Sequence, residues 1–259
     1  MIHNPINTID RLSKRIGGWM PPQAQKLLGN YGLLTVRIVA SVCQAGTVLL
    51  TWDLWQVRDY PPLLPAANLR QLDMGWPILL SLLVVLFAPR VGILCHIAFI
   101  VLSMMMDQTR MQPYVISMAL LMVGTLPIKW AHSMVCMHLV ALWFYAGLHK
   151  LISVYVNGYF SSNFFLDIAP WLPDPVPQLL AASVLLTEMG VGLIAFRAQS
   201  RKLAAVLAGA LHVSLFVALV LRGQNTAVWL WQFPLALGGA VWGASVCADS
   251  SFSYFRTAC

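Results

Sequence analysis

Ser133-Met134-Val135-Cys136-Met137-His138-Leu139-Val140-Ala141-Leu142-Trp143-Phe144-Tyr145-Ala146-Gly147-Leu148-His149-Lys150-Leu151 is the stretch that decides the class of this chain. It is close to the roughly 20 apolar residues that a helix needs to cross a hydrocarbon layer. Its one full charge, Lys150, comes where the run closes. An ammonium in or beside hydrocarbon costs on the order of several kcal/mol unless it is paired or neutralised. Lys150 is therefore a candidate functional group. The competing account is a lysine near a helix end whose stem lies along apolar surface while its head reaches the interface.

The composition agrees with the segment. The chain is 59% hydrophobic and 10% charged, with a mean hydropathy of +0.74; a soluble domain carries about 25% charged residues. The class is an all-α integral membrane protein. Apolar runs set against breakers give eight candidate helices, near 32–52, 76–88, 91–106, 112–128, 132–152, 178–196, 203–221 and 226–247. The second to fourth are short for full crossings. Pro89-Arg90 and Pro127-Ile128-Lys129 read as tight turns between them.

Charge sets the orientation. With the N-terminus inside and eight crossings, the inner segments hold Arg11, Lys14, Arg15, Lys26, Arg90, Lys129, Arg197, Arg201, Lys202 and Arg256. The outer segments hold only Arg58, Arg70, Arg110 and Arg222, together with Asp53, Asp59, Asp73, Asp107, Asp167 and Asp174. That is the positive-inside pattern, so both termini are expected to be cytoplasmic. It also accounts for the net charge of +7 without a nucleic-acid partner. The expected organisation is an N-terminal segment over 1–30, a transmembrane domain over 31–248 and a tail over 249–259. No signal-peptide core precedes the first apolar run, which then serves as an uncleaved anchor. Ile6, Ile9, Leu12, Ile16 and Trp19 recur at near-helical spacing around Arg11, Lys14 and Arg15. They suggest an amphipathic helix on the cytoplasmic surface; a solvated tail also fits. The five cysteines have no metal-ligand spacing, and neither a disulfide nor a zinc site is expected.

The polar residues inside the apolar runs need partners. Asp107-Gln108-Thr109-Arg110-Met111-Gln112-Pro113-Tyr114 closes the third run. Lys150 stands about 18 residues, or roughly 27 Å of helical rise, from the inner start of the fifth. The two clusters thus share a depth near the outer face, where Asp107 could balance Lys150 and leave it able to act as a base. An ordinary interfacial ion pair is the alternative. Glu188 and His212 form a second candidate pair near the middle of two neighbouring helices, as a structural bond or a proton path. The aromatics of 53–75 and 156–177, Tyr159 and Trp171 among them, fit a headgroup belt or a lid over a lipid-facing cavity.

Asp107-Gln108-x-Arg110-x-Gln112-Pro113, then Tyr145-Ala146-Gly147-x-x-Lys150-Leu151, then Gly158-Tyr159, resembles the HTTM family, the transmembrane domain type of vitamin K-dependent gamma-carboxylase. The resemblance covers about 30–245. In that carboxylase an Ala-Gly-x-x-Lys-Leu stretch carries the active-site base, which falls on Lys150. The chemistry implied is that of a reduced quinone of vitamin K or menaquinol type. Its oxygenation by O2 drives carboxylation of a glutamate side chain by CO2, and the quinone leaves as its epoxide. Asp107, Arg110 and Tyr114 would join Lys150 as catalytic residues. Gln112, Tyr145, His149, Tyr159 and Trp171 would line the quinone. Tyr114 stands where the carboxylase has a functional histidine, and the carboxylase's large luminal propeptide-binding domain has no counterpart in these 259 residues. Short bacterial members are similar to the sporulation-delaying B and DoxX-like membrane proteins. They imply a bacterial inner membrane location, a peptide substrate and a soluble partner on the outer face. Two functions follow as expectations: a quinol-dependent carboxylase-like enzyme, or a non-catalytic membrane subunit for peptide maturation or export.

Overall fold

The computed structural model describes residues 22–59, 63–67, 69–197, 200–223 and 226–244. The amphipathic pattern of 6–19 and the tail of 249–259 lie outside them. The described residues form eight α-helices: α1 (Pro22–Leu50), α2 (Gly75–Phe87), α3 (Pro89–Met106), α4 (Pro113–Gly124), α5 (Lys129–Ile168), α6 (Val176–Phe196), α7 (Arg201–Arg222) and α8 (Thr226–Ala244). Short 3-10 turns at Trp52–Trp55 and Gln108–Arg110 follow α1 and α3.

Proline punctuates the elements. Pro89 and Pro113 open α3 and α4 at the first turn, where a missing N–H costs nothing. The single residue Ala88 separates α2 from α3. Gly92 then faces the backbone of Val84 and Val85 with no room for a Cβ, so the two helices fold back tightly on each other.

Five of the helices are long and apolar enough to cross a membrane, over Tyr31–Leu50, Pro89–Met106, Trp130–Ile152, Val176–Phe196 and Arg201–Arg222. Gly75–Phe87, Pro113–Gly124 and Ala227–Trp242 are shorter. The sequence reading expects eight crossings; among the described residues five helices have crossing length and the other three apolar helices are shorter. The third helix is longer than the sequence suggests because Pro89 begins it. Two further differences concern boundaries. α1 starts at Pro22, so the division at 30/31 falls inside a helix. α5 is 40 residues long, so the outer segment expected from 156 is helical as far as Ile168.

The exterior of the long helices is strongly apolar. Along α6, Leu179, Leu186 and Leu193 are exposed at seven-residue spacing, while Glu188, Gly192 and Ala195 are buried. Along α7, Val206, Val213, Val217 and Leu221 are exposed, while Ala204, Ala205, Ala208 and His212 are buried. Large apolar residues on the outside suit hydrocarbon surroundings, and the small and polar ones inside allow close packing and hydrogen bonds between helices.

The described residues divide into two compact units, one from 33–135 and 223–234, the other from 136–222 with 22–32 and 235–244. In the first, α1 runs antiparallel to α4. Arg37 donates through Nε to the Thr125 hydroxyl at 3.0 Å and through Nη2 to the Thr125 carbonyl at 3.1 Å. Further along, Ser41 Oγ donates to Met122 Sδ. Ser81 and His96 join α2 to α3 at 2.8 Å. In the second unit, a Cβ on Gly147 of α5 would lie 2.7 Å from the Leu185 carbonyl and the Met189 nitrogen of α6. One on Gly192 would lie 2.7 Å from the Phe144 nitrogen. The two helices are therefore antiparallel and touch backbone to backbone.

Gly147→Leu should lower the detergent melting temperature by an amount equivalent to at least about 1–3 kcal/mol, the range for overpacking. Gly209→Ala, where a Cβ meets nothing within 4 Å, should leave it unchanged or raised. Equal melting points for the two variants would refute the close-contact account.

Candidate functional site

The α5–α6 contact positions Lys150. It lies one turn beyond Gly147, and Glu188 lies one turn before Gly192. With the backbones this close, Lys150 Nζ reaches Glu188 Oε2 at 2.5 Å. The Glu188 side chain is 6% exposed and that of Lys150 is 45% exposed. The carboxylate is inside and the amine spans from it to the surface. Tyr145 and His149 on α5 are also exposed. Lys150 is not at a helix end, as the sequence suggested, because α5 continues eighteen residues further.

A turn or two before Lys150, Trp143 is 5% exposed and donates through Nε1 to His212 Nε2 at 2.9 Å. An accepting Nε2 places the imidazole proton on Nδ1. Glu188 and His212 are both buried, as their positions suggested. Each nonetheless has a different hydrogen-bond partner from the one inferred from depth: Lys150 for Glu188 and Trp143 for His212.

The unit of 33–135 carries the other charged group. Asp107 ends α3, and its Oδ1 accepts from the Thr109 amide at 3.1 Å and the Leu64 amide at 3.3 Å. Its Oδ2 stands 2.6 Å from Arg58 Nη2 and 3.7 Å from Arg110 Nε. Arg110 is fully buried and donates to the Leu54 carbonyl at 2.8 Å and the Gln56 carbonyl at 2.9 Å. These bonds pin the 51–74 connection onto the α3–α4 corner. Burial pushes the Asp107 carboxyl up, but hydrogen bonds from Thr109, the Leu64 amide and Arg58 outweigh it and hold the group below its ordinary value. Burial lowers Arg110 against the charge of Asp107.

The remaining candidates fall as follows. Tyr114 packs in the core with Val115 and Met118. Gln112 donates to the Thr109 carbonyl at 2.6 Å, holding the corner itself. Tyr159 lies on α5, with its side chain outside the described residues. Trp171, in the α5–α6 connection, is 77% exposed. Sequence depth suggested Asp107 as the partner of Lys150; the structure gives Lys150 to Glu188 and Asp107 to Arg58 and Arg110. Arg58 was not anticipated, since nothing in a 23-residue polar loop marks which cation folds inward. The Lys150–Glu188 pairing did have a signal: a glycine three residues before one and four residues after the other. Among the described residues, no three His, Cys, Asp or Glu side chains cluster as a metal site.

No family model matches this chain, nor does any curated protein or solved structure.

The Asp107 group makes stability acid-sensitive. A carboxyl with a depressed folded value stabilises fully above its unfolded value of about 3.9, and this is lost as pH falls through the folded value. Detergent unfolding followed from pH 7 to pH 3 should show a drop below about pH 4. Asp107→Asn, which leaves Arg58 and Arg110 without their counter-charge, should cost about 3–5 kcal/mol at neutral pH and flatten that drop. An unchanged melting point at pH 7 would contradict the assignment.

Proposed function

We propose that this chain is a multi-pass membrane enzyme of HTTM type that acts on a reduced quinone, with Lys150 as the base. The observation that carries this is the Lys150–Glu188 pair, set between two helices of crossing length with its carboxylate inside and its amine half exposed. A lipid-soluble phenol arriving at the flank of α5 would meet Nζ beside Tyr145 and His149, so the residues present suit such a molecule. A reduced quinone would supply the phenolic proton and the reducing equivalents for chemistry with O2 and CO2. The protein's part is proton handling. Only with its proton passed to Glu188 Oε2 would Nζ be the uncharged amine that takes a proton from a hydroxyl. Glu188 fixes the direction of that amine, and a largely dry site strengthens the interaction.

In this reading all eight helices enter the membrane, the termini are cytoplasmic and the protein sits in a bacterial inner membrane, as the distribution of Lys and Arg favours. Lys150 then faces the outer half, where a peptide and a soluble partner would be met. Asp107, Arg110, Tyr114 and Gln112 shape the outer corner. Their engagement with local backbone also favours a second reading: a non-catalytic subunit whose pinned 51–74 connection docks a soluble partner.

The test is reconstitution in lipid with a reduced naphthoquinone and oxygen, with epoxide measured by mass spectrometry. Wild type should form epoxide. Lys150→Ala should abolish it, and Lys150→Arg, permanently charged, should lose about 10²–10⁴-fold. Full activity in Lys150→Arg would exclude the base role. A folded wild type that forms no epoxide would favour the docking subunit.

A further inference from the structure

α2 and α3 share the tight fold at Ala88 but differ in length. A helix of 13 residues rises about 20 Å and one of 18 residues about 27 Å. The start of α2 therefore stands about 7 Å short of the end of α3. The connection that leads into α2 fills this step, and its described residues there are 63–67 and 69–74.

This part of the chain turns its polar groups toward α3. The amides of Ala66 and Ala67 donate to the Met105 carbonyl at 2.9 and 3.1 Å, and Gln71 Nε2 donates to the Met106 carbonyl at 3.0 Å. The Leu64 carbonyl accepts from the Gln108 amide at 2.8 Å, and the Met74 amide donates to the Trp55 carbonyl at 2.8 Å. Carbonyls that the last turn of a helix cannot bond itself are thus taken up by the connection. Irregular backbone can lie beside acyl chains only when its polar groups are met within the protein.

The outward side is apolar. Leu64, Leu69 and Leu72 are exposed, and they continue the apolar exterior made by Trp76 and Leu80 of α2 and Met105 of α3. Trp76 packs edge-on against Trp52 with ring centroids 5.2 Å apart, and indoles favour the boundary between headgroups and acyl chains. Two charges interrupt the leucines. Asp73 is engaged, accepting from the Val57 amide at 2.6 Å. Arg70 is exposed and has no ion pair among the described residues. A guanidinium at that boundary matches a lipid phosphate.

We propose that this part of the connection is an interfacial segment, with Leu64, Leu69 and Leu72 against acyl chains and Arg70 on a phospholipid phosphate. The proposal rests on the multi-pass membrane reading and is independent of the quinol chemistry.

The test places single cysteines in the full chain at Leu64, Leu69 and Leu72. Leu80→Cys is the reference for lipid and Asp59→Cys, at an exposed charged position of the same connection, the reference for water. Each variant in phosphatidylcholine nanodiscs is treated with a charged methanethiosulfonate, and each thiol is followed by peptide mass spectrometry. The three leucine positions should react with Leu80→Cys, at least about tenfold more slowly than Asp59→Cys, because a charged reagent is excluded from hydrocarbon. Wild type in nanodiscs that carry an acyl-chain diazirine lipid should acquire adducts within 63–74, which checks the placement without any substitution. Reaction at the Asp59→Cys rate with Leu80→Cys protected would overturn the interfacial segment and leave the membrane reading standing. Fast reaction at Leu80→Cys as well would overturn the membrane reading itself. Protection in whole cells that is lost in nanodiscs would assign the leucines to a soluble partner and overturn the lipid contact.

Discussion

The backbone contact between α5 and α6 at Gly147 and Gly192 is the constraint on which the Lys150 site depends. Two facing helices normally stand 8–10 Å apart because side chains intervene. Here two glycines remove them, and the chains meet with carbonyl and amide atoms within reach of where a Cβ would be. Only at that separation can a lysine and a glutamate one turn away join across the seam while the carboxylate stays inside. The same economy of side chains recurs on α7, whose inward Ala204, Ala205 and Ala208 leave room for the bulk of Trp143 and Trp242. Small residues inside are thus what allow large indoles and charged groups to be there at all.

The two charged systems are built on opposite principles. Around Asp107 the charges are turned inward: Arg110 is fully buried, and its Nε and Nη2 donate to the backbone of the neighbouring connection. Such a group fixes shape, because moving any member leaves a buried charge unmatched. The Lys150–Glu188 pair is asymmetric, with one partner buried and the other half open. Opening one side weakens the pair but gives a reactant access, which a fully enclosed pair does not. The difference in exposure, more than the residue types, separates a structural clamp from a candidate site.

Much of this was legible in the sequence. The helical membrane-type class follows from composition alone, and each of the eight apolar runs corresponds to a helix. The run at 132–152 stops where hydrophobicity falls and an outer segment is expected from 156, whereas helical hydrogen bonding within the backbone continues to Ile168 regardless of side-chain polarity. The site was legible by residue and less so by pairing. Lys150, Glu188, Asp107 and His212 stood out because each interrupts an apolar run. Which of them meet depends on the rotation and separation of helices, which depth counting does not encode; the glycines flanking Lys150 and Glu188 do. Arg58 was hidden for a different reason: in a polar connection an inward arginine has no contrast with its neighbours.

The apolar exterior of these helices has a thermodynamic consequence. In a soluble domain, unfolding exposes apolar surface to water and raises the heat capacity, which bends the stability curve into a dome. In a bilayer, Leu179, Leu186, Leu193, Val213 and Leu221 contact acyl chains whether or not the helices are packed together. Separating α5, α6 and α7 there would hydrate little hydrocarbon, so its heat-capacity change would be small. The cohesion of these helices then rests on dispersion contacts and hydrogen bonds, whose strength varies little with temperature. The helix assembly would consequently have no cold limit of the hydrophobic kind, and its sensitivity would be to the chain length and fluidity of the surrounding lipid.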